Sequence, residues 1–282
     1  PKLKKKLRSF WGSNPPDMVV SLVPNFNKVM YEALRDELPG VPYVTVLTDM
    51  ADYPPHFWME PRQGQYIICG TAFAASQAAA LGYDHRAIVT TSGMILRPDF
   101  YRRQSVDKAA RLTEMGLEPN VPTGLILFGG HGSSEMLQIA KALPGRQLIF
   151  VAGHNTALAK KMASQTTSAK HHVMGFVQDI HLVMQVCEYF VGKPGPGSLS
   201  EAVHMGLPVI TFRNAATMPQ ERYNTVWLEE NQLGKVIASI SELPSAVDAL
   251  LSELPRYHGL VQKINNQAVF EVVDALDAIK AA

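Results

Sequence analysis

Three loops in the second half of the chain carry residue types with chemistry to do. FGGHGSS (128–134) places Gly130, Gly132 and Ser133 between a short apolar run and a helical pattern. Glycine lets backbone N–H groups come close to an anion, and the N-terminus of the following helix is partially positive. The spacing is neither GxGxxG nor GxxxxGK(S/T), which disfavours the common dinucleotide site and the P-loop. VGKPGPGSLSEA (191–202) interleaves glycine and proline, so the path is stiff and poor in side chains. Behind it, Ser198 and Glu201 read in two ways. They have the spacing of a capping box, or they are a hydroxyl beside phosphate and a carboxylate that accepts two hydrogen bonds from a ribose diol. In ATMPQERYN (216–224), Gln220, Glu221 and Asn224 fit one face at the start of a helix, where polar residues commonly serve as caps or solvated surface. Together the loops suit a ligand with both phosphate and hydroxyl groups, such as a nucleotide sugar.

The elements that must position these loops alternate between strand and helix, which predicts an α/β fold with mostly parallel sheets. Strands are expected over 17–23, 43–47, 66–69 and 87–90, with helices over 26–38 and 72–81. The polar, proline-broken SGMILRPDFYRRQ separates this half from a second alternation, so the domains are expected to be 1–103 and 104–282. In the second, strands are expected over 123–128, 147–151, 172–174, 189–191 and 208–212. Helices are expected over 106–115, 135–143, 156–165, 180–186, 199–205, 222–232, 243–253 and 268–281. All three loops then fall at the carboxyl ends of strands, where open parallel sheets bind ligands.

The 282 residues, 46% hydrophobic and 18% charged, describe a foldable globular chain near the size at which one core divides into two. Cys69 and Cys187 each end an apolar run and suggest neither a disulfide framework nor a metal site. His171 and His172 fall in an expected strand, where neighbouring side chains face opposite ways. No apolar run reaches membrane-spanning length. The net charge of +1 hides a basic start, PKLKKKLRSFW, in which Leu3, Leu7, Phe10 and Trp11 share a helical face. That face either meets an anionic membrane or packs on the body of the protein. The start lacks an initiator Met and a secretory signal, and it reads as a chain joined partway through an element.

The segment VMGFVQDIHLVMQVCEYFVGKPGPGSLSEAVHMGLPVITF, followed by MPQERYN, resembles the donor-binding half of GT-B glycosyltransferases. The similarity is to the branch of monogalactosyldiacylglycerol synthases, processive diacylglycerol glucosyltransferases and MurG. The shared features are Gly175-Phe176, Lys193 to Ala202, Gly206 to Ile210, and Gln220 to Asn224. PDMVVSLVPNFN, VLTDMADYPPHFW and TTSGMILRPDF extend the resemblance into the first half. It implies two Rossmann-like parallel-sheet domains with a donor cleft between them, the last helix packing back on the first domain, and no bound metal or cofactor.

By position, the resemblance implies that Phe176 and Val177 meet uracil, and that Gly130, Gly132, Ser133, Gly197 and Ser198 hold the diphosphate. Glu201 would take the ribose hydroxyls, Gln220 and Glu221 the sugar hydroxyls, and Asn224, among the substrate-binding residues, would support that loop by capping or direct contact. The family's glycine-rich first loop, with its general-base histidine, has no match, so the first domain is expected to be incomplete. Asp49 and His56 are the remaining candidates for the base. Pro194 departs from the family pattern by stiffening the start of its loop.

The function expected is inverting transfer of a hexose from a UDP-sugar to a lipid hydroxyl, with diacylglycerol as acceptor, at the inner face of a membrane. The partners expected are thus a UDP-sugar, a lipid and an anionic membrane surface, with no nucleic acid. A UDP-sugar epimerase and a non-catalytic donor-binding subunit or scaffold are the alternatives.

Overall fold

The computed structural model describes residues 2–102, 104–165 and 170–281. Two compact units emerge, one from Pro1–Leu96 with Asn266–Ala282, the other from Arg97–Asn265. The expected boundary at Arg103 lies outside the described residues. The division at Leu96/Arg97 precedes it because Phe100 is already buried in the second unit, its ring 5.8 Å from that of His181 and its carbonyl 3.2 Å from His204 Nε2.

The first unit begins with helix α1 (Lys2–Ser13) and continues through β1 (Val19–Ser21), α2 (Asn27–Glu37), β2 (Tyr43–Val46), β3 (Tyr66–Cys69), α3 (Ala72–Ala80) and β4 (Ile88–Thr90). Its four strands are parallel, in the order β1-β2-β3-β4. Thr71 caps α3 by accepting from Ala74 N at 3.1 Å, and the alanines of that helix lie close against Ile67 and Cys69. In α1, Leu7 and Trp11 pack on Ala33 and Leu34 of α2, while Lys4 and Arg8 pair with Asp36, and Lys4 also with Glu32. The apolar face expected for this helix therefore splits, because Leu3 and Phe10 stay exposed beside Lys5 and Lys6.

The second unit runs α4 (Lys108–Glu114), β5 (Thr123–Leu127), α5 (Glu135–Ala142), β6 (Gln147–Val151), α6 (Thr156–Gln165), β7 (His171–Met174), α7 (Ile180–Met184), β8 (Tyr189–Gly192), α8 (Pro196–His204), β9 (Val209–Phe212), α9 (Arg222–Glu230), β10 (Gly234–Ile237), α10 (Leu243–Ser252) and α11 (Leu254–Val261). Its six parallel strands are ordered β10-β9-β8-β5-β6-β7. Every residue of β5, β6, β8 and β9 is buried, as a parallel sheet covered on both faces requires. Strand order reverses between β5 and β8, which makes their carboxyl ends the switch point where α/β sheets bind ligands. Chain 268–281 forms α12 (Ala268–Ala281), which belongs to the first unit: Val272 and Ile279 cover Val44, Val46 and Ile68. No helix among the described residues is long and apolar enough to cross a membrane.

Candidate functional site

The loops after β5 and β8 meet at the switch point. Gly129 and Gly132 have φ of +71° and +59°, conformations that favour glycine. The loop after β6 braces them: His154 N donates to Gly130 O at 2.8 Å, and a Cβ on Gly153 would lie 2.2 Å from that same oxygen. Ser133 Oγ accepts from Glu135 N at 3.2 Å, a local serine turn that leads into α5, whose N-cap is Ser134.

Helix α8 starts earlier than the expected 199–205, with Pro196 at its first position and Gly195 as N-cap. Proline fits there because its missing N–H would have no partner inside the helix. Ser198 is thereby within the first turn rather than at the cap, and the capping-box reading of Ser198 and Glu201 is corrected. The free N–H groups of Gly197 and Ser198 are the orphan donors of a helix N-terminus. Gly197 faces open space, with nothing within 4 Å of where a Cβ would stand.

Two adjoining cavities open on these loops, both within the second unit. The larger, about 460 Å³, is lined by Gly130, His131, Gly132, Ser133, Lys193 and Glu221, among others. The smaller, about 190 Å³, is lined by Arg97, Phe176, Val177, Ser198 and Glu201, among others, and both share Gly129 and Gly130. Burial raises the Glu201 carboxyl above the usual glutamate range, and the positive charge of Arg97 opposes that rise. Phe176 is 58% exposed, and its ring stacks on that of His154 with centroids 4.0 Å apart.

The third loop behaves less uniformly than its helical spacing predicts. Glu221 is buried in the larger cavity wall and pairs through Oε1 with Lys193 Nζ at 2.9 Å. Asn224 is fully buried and donates to Pro194 O at 2.7 Å, so it holds the glycine-proline loop and does not line either cavity. Gln220 is half-buried beside Met218 Sδ and is likewise outside both linings.

Asp49 and His56 belong to the first unit. Asp49 accepts from Trp58 Nε1 at 2.9 Å, while His56, at φ +67°, turns Nδ1 toward Met59 O at 3.3 Å. The organiser of that loop is Asp52, which accepts from the backbone N–H of Trp58 and His56. Burial raises the Asp52 carboxyl, and those hydrogen bonds counter it. His171 and His172 contact different carbonyls, of Leu143 and Met115. Sequence reasoning assigned no role to Arg97 or His154. Arg97 sits inside the quoted SGMILRPDF, but nothing local ties it to Glu201; His154 becomes visible only when the β6 loop is folded against Gly130.

Known proteins add to this geometry. Residues 126–279 match the glycosyltransferase family 28 C-terminal domain. Among curated relatives, monogalactosyldiacylglycerol synthase of Spinacia oleracea is 28% identical over 94% of this chain and 53% of its own length. Processive diacylglycerol beta-glucosyltransferase of Bacillus subtilis is 25% identical over 93% and 68%. The chain spans about half the length of the synthases it matches. Among solved structures, Acinetobacter baumannii MurG superposes with a TM-score of 0.67 at 12% identity, covering 98% of this chain and 78% of MurG. Anabaena HepE in complex with UDP gives 0.63 at 14%, covering 98% and 82%. The fold is that of two-domain GT-B glycosyltransferases, and, matching over more than half its length, the chain belongs to the glycosyltransferase family 28 C-terminal domain family.

Proposed function

We propose that this protein binds a UDP-sugar in the second unit and serves transfer of its hexose to a lipid hydroxyl, with diacylglycerol as acceptor. The observation that carries the reading is the pair of adjoining cavities at the β5/β8 switch point. Phe176, Val177 and Glu201 suit a uridine in the smaller one. The glycine loop and the first turn of α8 supply N–H donors for a diphosphate, and Glu221 faces the larger cavity where the sugar would lie. Relatives named for galactose and glucose transfer to diacylglycerol support the acceptor class.

In an inverting displacement the acceptor oxygen attacks the anomeric carbon as the bond to the diphosphate breaks. A base removes the acceptor proton, and fixed N–H dipoles stabilise the departing UDP. Asp49 and His56 are proposed as candidates for that base. The exposed Leu3, Phe10, Lys5 and Lys6 of α1 support attachment to the inner face of an anionic membrane.

Titrating UDP into the folded protein tests the donor site, since binding raises the melting temperature by mass action. A panel of UDP-hexoses with diacylglycerol tests the transfer. Absence of UDP binding would overturn the donor reading, and formation of a new UDP-sugar without acceptor would favour an epimerase.

A further inference from the structure

Three rings stand in a row above the switch point. His131 lines the larger cavity, and its ring centroid is 6.0 Å from that of His154. His154 stacks on Phe176 at 4.0 Å with planes 18° apart, and Phe176 lines the smaller cavity. Both histidines are exposed, and among the described residues no side-chain hydrogen bond or ion pair engages either imidazole. Their backbones are fixed nonetheless: His131 sits between Gly130 and Gly132, and His154 N is bound to Gly130 O.

The charges around the larger cavity give His131 a task. Its other ionised side chains are Lys193, Glu221 and Glu135. Lys193 is already paired with Glu221, which leaves Glu135 as one uncompensated negative charge, its Oε2 3.4 Å from Ser133 Oγ. A diphosphate entering there meets helix N-termini and backbone donors but a net negative set of side chains. In the smaller cavity Arg97 faces Glu201.

We propose that His131 is a diphosphate-binding side chain of the donor site, aligned by the row with His154, and that it takes up a proton as the diphosphate binds. This rests on the UDP-sugar reading above. An imidazole changes charge between about pH 5 and 8, and an adjacent anion favours its charged form. The imidazolium then gives the phosphate oxygens a charge-assisted hydrogen bond and brings the net charge of the cavity's side chains to zero. His154 is a positioning residue, whose ring holds one face of Phe176 and leaves the other for a base.

The test is calorimetry with UDP-galactose, whose diphosphate is esterified at both ends and has no proton of its own to titrate in this range. Uridine is the phosphate-free control, and buffers of different protonation enthalpy report proton uptake. The expected result is proton uptake with UDP-galactose in excess of that with uridine, and an affinity about 5-fold tighter at pH 6 than at pH 8. His131→Gln removes the excess uptake and the pH dependence and leaves uridine binding unchanged. His154→Phe keeps the stack and the proton uptake. Wild-type uptake persisting in His131→Gln, or lost only in His154→Phe, overturns the proposal. Uridine binding with pH-independent UDP-galactose binding also overturns it while sparing the donor site. Failure of the folded wild type to bind either probe refutes the donor reading itself.

Discussion

Replacing Glu201 by glutamine separates the cost of this carboxylate from its use. The substitution keeps the shape and removes the charge. A carboxylate holding a ribose diol makes charge-assisted hydrogen bonds, and losing the charge is worth about 1.5–3 kcal/mol. At about 1.4 kcal/mol per decade, UDP affinity falls roughly 10- to 100-fold. Pyrophosphate lacks the ribose, so its affinity holds. Stability moves the other way. Burial raises the Glu201 carboxyl in the folded protein above its unfolded value, more than Arg97 lowers it. The folded state therefore binds this proton more readily than the unfolded chain. Its contribution favours folding below the ordinary glutamate range near about pH 4.3 and is lost as pH rises through the folded-state value. At neutral pH the ionised Glu201 is a net burden, so Glu201→Gln melts higher than wild type there and the difference vanishes on acidification. Calorimetric titration with UDP and pyrophosphate, beside melting curves across pH, reads both effects. An equal loss for both ligands, or a glutamine variant less stable at neutral pH, refutes the reasoning.

Other perturbations test neighbouring parts of the site. Lys193→Met strands the buried Glu221 carboxylate; because the lysine is itself half-exposed, a loss of about 1–2 kcal/mol in stability is expected by chemical denaturation. Asn224→Ala leaves Pro194 O without its donor at a buried position, costing about 1–3 kcal/mol, and weakens UDP binding by loosening the loop; unchanged UDP affinity at full folding would show that the loop needs no such support. Gly153→Ala forces a methyl against Gly130 O at a φ of +62°, and about 2 kcal/mol or more is lost together with diphosphate affinity. Lys5→Glu combined with Lys6→Glu lowers binding to vesicles containing anionic lipid by at least about 10-fold, measured by co-sedimentation, and leaves UDP binding alone.

Much of the fold was legible because its strands are continuous apolar runs set between helical patterns. The runs over 66–69 and 147–151 appear in the structure as β3 and β6 with the same limits. β10 escaped because GKVI is short, and only its pairing with β9 makes it a strand. α11 escaped because Pro255 looks like a stop when it is a helix-starting residue. In the site, the glycines of 129–132 and 195–197 announced themselves by composition. The identity of the N-cap did not, since Gly195, Ser198 and the two prolines allow several starts. Packing chose Pro196, and that choice decided what Ser198 can do. Glu221 and Asn224 look equivalent on a helical wheel, yet one lines a cavity and the other is sealed beneath the loop.

The first unit takes its last helix from chain that follows the whole of the second unit. Its sheet is translated before the second unit, but Val44, Val46 and Ile68 wait for Val272 and Ile279. The intervening Arg97–Asn265 is contiguous and completes all six of its strands from its own sequence. During vectorial synthesis the second unit can therefore close while the first still shows an apolar sheet face. The return is fastened at Asn266, whose Nδ2 donates to Met94 O at 2.8 Å, beside Gly93. For these two units the order of completion is thus expected to run opposite to the order of translation: the sheet of residues 19–90 precedes 97–265 in the chain and is completed after it, and a ribosome-stalled chain ending before Asn266 is expected to need a chaperone on its first sheet but not on its second.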